Sequence, residues 1–253
     1  MPEHMKTKPT AEHRDRTRFS IIVPVINERK VIQTLLESLR QQAGIEQCQI
    51  IVVDGDPDGS TLQVIDDPAV HQLTSARGRG AQFNRGADEA RGDILVFLHA
   101  DTRLPSDSLS LVDRAMKDPR YVAGAFALEI ASPRPLLRLI ARGANLRSRL
   151  TRVPYGDQAI FIERDYFRRI GRFREIPIME EVDLLRRIRR KGDRICILRE
   201  AVLTSPRRWE AEGPLYTTLR NQLLVFLFGL GVKPEKLAQL YRTAGTSDKQ
   251  PHV

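Results

Sequence analysis

The sequence predicts a doubly wound α/β fold, with a mostly parallel central sheet and helices on both faces, and its apolar runs carry that prediction. Ile94-Leu95-Val96-Phe97-Leu98 is an unbroken apolar stretch rich in branched residues, the pattern of a strand buried on both faces, and it stops close to a single carboxylate, Asp101. Ile50–Val53 ends the same way at Asp54, before the turn residues Gly55-Asp56-Pro57-Asp58-Gly59. Phe19–Val25 ends near Asn27 and Glu28. Polar groups just past buried strands gather at the carboxyl edge of a parallel sheet, where open α/β folds bind ligands. The pattern points to a nucleotide and metal site.

Residues 1–17 are polar and charged and are expected to form a disordered tail; 246–253 form a short C-terminal tail, leaving 18–245 as one domain. After the first strand, Val31, Ile32, Leu35, Leu36 and Leu39 recur at helical spacing within 28–42, and Gly44 is a stop signal. A helix-like stretch near 60–66 and a short strand at 71–74 follow the second strand. The Arg77–Gly80 loop opens a helix over 81–90, and a helix over 106–117 follows the long apolar strand. This alternation of strand and helix is that of crossover-linked parallel strands. In the second half the predicted order is a strand at 122–130, a basic helix at 135–152, a strand at 159–162 and a helix at 180–191. Strands at 194–198 and 201–204 and a helical end over 214–241 complete the chain.

A chain of 253 residues suits one large α/β domain. Its 41 basic and 32 acidic residues leave a net charge of +9, but the arginines are clustered and aromatics make up only 6%. Without interleaved stacking rings this is not by itself a nucleic-acid signal, and phosphates of a nucleotide donor, an anionic acceptor or a membrane surface are the expected partners. Cys48 and Cys196 sit beside apolar runs and read as buried reduced thiols of a cytoplasmic protein. Residues 1–18 lack an apolar signal core, and no stretch reaches the roughly 18–20 apolar residues of a spanning helix. The expected location is cytoplasmic, with peripheral contact at the inner membrane face. That contact would run through the basic helix, which carries Arg138, Arg142, Arg149 and Arg152 without one acidic residue. A solvated arginine face over core leucines, or recognition of an anionic acceptor, accounts for the same pattern.

Glu180 and Glu181 open the predicted helix at 180–191. Glu181 shares a face with Leu184 and Ile188, so its carboxylate is expected on the buried, site-facing side with Glu180 rotated away. Acidic residues also favour a first helical turn for the helix dipole alone.

Taken in order, Ile21–Glu28, Val52-Val53-Asp54-Gly55, Ala76–Asn84, Leu98-His99-Ala100-Asp101-Thr102 and Met179–Leu184 resemble the inverting family 2 glycosyltransferases of GT-A fold. Tyr155-Gly156-Asp157-Gln158 and Arg207-Arg208-Trp209-Glu210 are similar to a small bacterial subgroup with largely undefined acceptors, some members of which are associated with arsenosugar synthesis. The resemblance implies that Asp101 holds Mg²⁺ or Mn²⁺ against a donor diphosphate. The family pattern is Asp-x-Asp; here His99 takes the first position, so a single carboxylate must share the cation with substrate phosphates. Asp54 matches the carboxylate that accepts the N3–H of a pyrimidine, which favours a UDP-sugar and leaves GDP-mannose open. Pro24 and Glu28 match positions lining the nucleoside, although Glu28 also suits a helix start. Arg77 is the expected donor contact, with Arg79 expected in solvent. Arg208 and Trp209 match a basic and aromatic motif that closes over the leaving diphosphate; Trp209 could equally cap a hydrophobic edge. Tyr155, Asp157 and Gln158 are expected on the acceptor side, toward a small-molecule or lipid-linked acceptor. Where the family has Glu-Asp, this chain has Glu180-Glu181, which puts Glu181 in the place of the general base, one methylene longer.

Two rival readings share the sheet. A nucleotidyltransferase would carry a Gly-rich, Lys- or Arg-bearing loop after the first strand, where this chain has Pro24–Glu28. A non-catalytic descendant that binds nucleotide sugars or carbohydrate is suggested by the His99 and Glu181 departures.

Overall fold

In a computed structural model, residues 17–243 are described. The expected tails at 1–17 and 246–253 lie outside them, save for Thr17. The apolar runs become β1 (Phe19–Val25), β2 (Cys48–Asp54), β3 (Val70–Thr74) and β4 (Ile94–Phe97), paired in parallel in the order β3-β2-β1-β4. The other strands are β5 (Thr102–Arg103), β6 (Tyr121–Ile130), β7 (Ile160–Glu163) and β8 (Arg194–Thr204). β7 is antiparallel to both β4 and β6, and β6 is parallel to β8, which pairs antiparallel with the short edge strand β5. Two reversals restore the direction, so β6 and β8 run the same way as β4. The carboxyl ends of β1, β2, β4, β6 and β8 therefore share one edge.

Side chains alternate along each strand, so the two sheet faces build separate cores. Ile21, Val23 and Val25 join the core under α1 (Ile32–Arg40), α3 (Ser108–Met116) and α4 (Pro135–Thr151). Ile22, Ile51 and Val53 join the core under α2 (Arg79–Glu89), α5 (Arg164–Arg169) and α6 (Glu180–Arg190). The second core also takes Leu224 of α8 (Pro214–Gly229) and Leu237 of α9 (Pro234–Thr243). Helices on both faces confirm the doubly wound expectation.

Several elements differ from the sequence reading for local reasons. The stretch near 60–66 makes only a 3-10 turn at Leu62–Val64. The strands expected at 194–198 and 201–204 are one strand, β8, and an irregular register opposite Ala125–Ala127 of β6 absorbs the break in its apolar pattern. Gly231 at φ 87° and Pro234 split the expected C-terminal helix into α8 and α9. A further short helix, α7 (Arg207–Glu212), follows β8. Both cysteines are free, and burial pushes the Cys48 thiol up to about 12. Among the described residues no helix is long and apolar enough to cross a membrane.

Candidate active site

Asp101 lies in a turn beyond β4, not on the strand itself. The Thr102 N–H donates to the His99 carbonyl at 3.1 Å, and Thr102 pairs with Thr204 of β8. The Ser205 N–H donates to the Asp101 carbonyl at 3.1 Å, so the end of β8 is tied to the turn and carries α7 to its side. Arg207, the first residue of α7, then places Nη2 at 3.3 Å from Glu28 Oε1 and 3.4 Å from Asp101 Oδ2. Its cation thus joins the ends of β1 and β4, a role no local pattern announced.

The first turn of α6 closes the other side. Glu180 and Glu181 are both buried, and Met179 before them is held at φ 74°, a left-handed conformation that a side chain of its size rarely adopts. Glu181 Oε1 lies 3.1 Å from His99 Nε2. The imidazole in turn stacks on Phe83, with ring centroids 6.2 Å apart, above a cluster with Phe97 and Phe173. Glu180 is rotated away from the cavity, as expected, and forms an ion pair with Arg79 Nε at 2.6 Å at the opening of α2. Burial pushes the Glu181 carboxyl up, but the charge of Arg79 and the hydrogen bond and charge of His99 outweigh it and hold the group well below the usual carboxylate range. For Glu180 burial prevails over the charge of Arg79, and the neighbouring Glu181 adds to the rise. The two carboxyls are thus pushed in opposite directions, Glu180 up and Glu181 down.

Gly156 completes this corner. A Cβ on it would overlap Glu181 Oε1 and lie 2.9 Å from His99 Nε2, so only glycine lets the 156–158 turn lie this close to the carboxylate.

One cavity at the carboxyl edge is lined by Glu181, Asp101, Tyr155, Asp157, Arg208 and Trp209, together with His99 and Arg79. Six of the expected site residues therefore meet. Asp157 Oδ1 and Trp209 Nε1 are sealed from solvent without a hydrogen-bond partner, an acceptor and a donor held unspent in the cavity wall. Burial raises the Asp157 carboxyl above its ordinary range against the pull of His99 and Arg147. Tyr155 is fixed by the Arg147 guanidinium, 3.5 Å from its ring centroid, and its hydroxyl donates to Gln222 Oε1 at 3.2 Å.

Other expectations are corrected. Asp54 is fully buried, and its carboxylate accepts the N–H of Asp56 at 3.0 Å and of Thr61 at 2.8 Å. It folds the 55–61 loop and lies outside the cavity wall. Gln158 is also fully buried. Its amide donates to the Phe126 carbonyl at 2.9 Å and accepts from Ser148 Oγ at 2.7 Å and the Tyr155 N–H at 3.2 Å, so it anchors the turn and lies outside the cavity wall. The two loop arginines exchange roles: Arg77 is exposed and away from the cavity, whereas Arg79 lines it. Gly78 at φ 133° lies between them and redirects the chain. Pro24 is buried within β1 opposite Val53 and does not reach the cavity. Glu28 meets the site only through Arg207.

Comparison with known proteins agrees with this architecture. The solved mannosyltransferase PcManGT from Pyrobaculum calidifontis, in complex with GDP-Man and Mn²⁺, superposes with a TM-score of 0.66 over 90% of this chain and 69% of its own, at 19% identity. The crystal structure of Staphylococcus aureus TarS superposes with a TM-score of 0.58 over 80% of this chain and 38% of its own, also at 19% identity. Both likenesses concern the fold. In sequence, an uncharacterised Mycobacterium tuberculosis protein, MT1568, is 31% identical over 121 residues, 43% of this chain and 35% of that protein. The Campylobacter jejuni GalNAc(5)-diNAcBac-PP-undecaprenol β-1,3-glucosyltransferase is 27% identical over 121 residues, 44% of this chain and 39% of its own. The matched region thus spans well under half of either relative's length. Residues 20–194, well over half of the chain, match the family model for glycosyl transferase family 2, and the chain belongs to that family.

Proposed function

We propose that this chain transfers a sugar from a nucleotide-sugar donor to an acceptor hydroxyl with inversion, and that Glu181 is the general base. The observation that carries this reading is the Glu181 carboxyl, 3.1 Å from His99, in the wall of the same cavity as Asp101. The Glu181 carboxylate takes the proton of the acceptor hydroxyl as the hydroxyl oxygen bonds to the anomeric carbon. The bond from that carbon to the diphosphate oxygen breaks on the opposite side, which inverts the centre. Asp157, which lines the cavity with Oδ1 unspent, suits a hydrogen bond from an acceptor hydroxyl, with Tyr155 beside it. Arg208 and the free Trp209 N–H suit oxygens of the leaving diphosphate.

The residues fit a divalent cation only in a shared form. Among the described residues no group of three or more His, Cys, Asp or Glu side chains is gathered for a metal, and His99 is engaged by Glu181. Asp101 is a single, partly exposed carboxylate, and a hard cation there must take its other oxygens from the donor diphosphate and water. When bound, Mg²⁺ or Mn²⁺ would supply positive charge to the leaving group.

The donor of this proposal is a UDP- or GDP-sugar, since the Asp54 carboxylate that would favour uracil is hydrogen-bonded within its own loop. Structural relatives have been solved with UDP-GlcNAc and with GDP-Man. The acceptor class is a small molecule, as the bacterial subgroup resemblance suggests, or a lipid-linked one, as in the name of the Campylobacter relative. Incubation with a panel of UDP- and GDP-sugars and Mn²⁺ tests the reading. Free nucleoside diphosphate and sugar are expected, from one nucleobase class preferentially. Pyrophosphate chemistry, or neither binding nor hydrolysis across the panel, would overturn it.

A further inference from the structure

The exposed large hydrophobic side chains of the described residues gather on α4, α8 and α9. On α4, Leu139, Leu146 and Leu150 follow one another at seven and four residues; on α8, Leu219, Leu223 and Phe226 do so at four and three. These six side chains are between 55% and 74% exposed. Each spacing draws a stripe along one side of its helix, opposite the buried Leu137 and Ala141 of α4 and Thr217 and Leu224 of α8. α4 packs on α8 and α8 on α9, so the stripes belong to neighbouring helices of one surface. Exposed apolar side chains in such number mark an interaction surface.

The charges around the stripes select the partner. Arg138, Arg142 and Arg149 are exposed on α4, Arg152 is exposed at its C-terminal cap, and α4 has no acidic residue. The charged residue of α8, Arg220, is buried against Glu212 at 2.6 Å, which leaves the outer side of α8 uncharged. Two copies of this surface face to face would set arginine against arginine. A layer of lipid phosphates would neutralise the same arginines while the leucines enter the interfacial region.

We propose that α4 and α8 form a docking face for an anionic lipid bilayer. The inner side of α8 contributes Leu224 and Val225 to the cavity wall, so a bilayer against its outer side would lie about one helix diameter, ~10 Å, from the site. Docking requires nothing of the transfer reaction, and its test reads binding alone.

The test is co-sedimentation of the full chain with vesicles of phosphatidylcholine, with and without phosphatidylglycerol. Sedimentation is expected with the anionic vesicles, weakening as salt rises, and not with phosphatidylcholine alone. Combined Arg138→Gln, Arg142→Gln and Arg149→Gln should weaken partition about fivefold per arginine, on the order of a hundredfold together. Combined Leu219→Ser, Leu223→Ser and Phe226→Ser should weaken it at least tenfold. Should the apolar variant fail to fold, the arginine variant, changed only at exposed positions, decides alone. Equal partition of wild type and arginine variant, or equal binding to neutral vesicles, would overturn the proposal. So would a dimer that the apolar variant disperses in a protein with no vesicle binding.

Discussion

His99 Nε2 stands 3.1 Å from Glu181 Oε1, joining the turn after β4 to the first turn of α6. An ionised Glu181 accepts this N–H, and the imidazole is itself braced on Phe83, so the carboxylate is held from a rigid platform. His99 is a positioning residue in this account. Replacing it with Ala should lower turnover by about 10²-fold, the penalty for a reacting group displaced by about 1 Å, with donor KM nearly unchanged. Steady-state kinetics check the split; a variant that lost only donor affinity would place His99 on the nucleotide instead.

Gly156 should be as sensitive as a residue that touches substrate. Its missing Cβ makes room for Glu181 Oε1, so Gly156→Ala must displace either the 156–158 turn or the base. Turnover is expected to fall by about 10²-fold with the thermal midpoint little changed, as measured by kinetics and thermal melts on one preparation. Full activity in Gly156→Ala would show that the base does not sit where the structure puts it.

The charge of Arg79 keeps Glu181 ionised against its burial. Removing that charge raises the Glu181 pKa, so at a fixed pH less of the base is available and activity returns as pH rises. Wild type should hold its rate from neutrality down past the usual carboxylate range, near ~4.3. The acid limb of Arg79→Gln should move upward, with rescue at higher pH. A pH–rate profile checks this; a uniform loss at every pH would mean that Arg79 acts on the substrate and not through Glu181.

Calorimetry tests the shared cation. Mn²⁺ or Mg²⁺ should bind measurably only with a nucleoside diphosphate present, and Asp101→Ala should abolish that synergy. Tight binding of the metal to the nucleotide-free protein, or synergy that survives the substitution, would remove Asp101 from the metal site.

The placement of Asp101 and Glu181 at one edge was legible in the sequence because each sits at a boundary that patterning marks, the end of an apolar run or the start of an amphipathic helix. Asp54 sits at such a boundary too, but the partners that consume its carboxylate are backbone N–H groups of Asp56 and Thr61, and no residue type announces those. Gln158 misleads in the same way, since its amide is spent on Ser148 and Phe126, far from it in sequence or on the backbone. Choosing between Arg77 and Arg79 required the φ of Gly78, a conformational fact. Arg207 and His99 gain their roles from pairings more than 80 residues long, Arg207 with Asp101 and His99 with Glu181, and only the assembled sheet makes these visible. The parallel strands themselves were legible, through their double-sided burial, although their order was not. The short β5, which pairs with the end of β8 from which α7 starts, was too brief to leave a pattern.

Nucleoside diphosphate release by Glu181→Gln, Glu180→Gln and Glu181→Asp, measured beside donor affinity, tests the assignment of the base most directly. Glu181→Gln should lower turnover by about 10²–10⁴-fold with donor affinity nearly unchanged. Glu180→Gln should cost clearly less, because Glu180 faces Arg79 and stays off the cavity wall, and Glu181→Asp should keep substantial activity. A Glu180→Gln variant more damaged than Glu181→Gln, or a Glu181→Gln variant at the wild-type rate, would contradict the account.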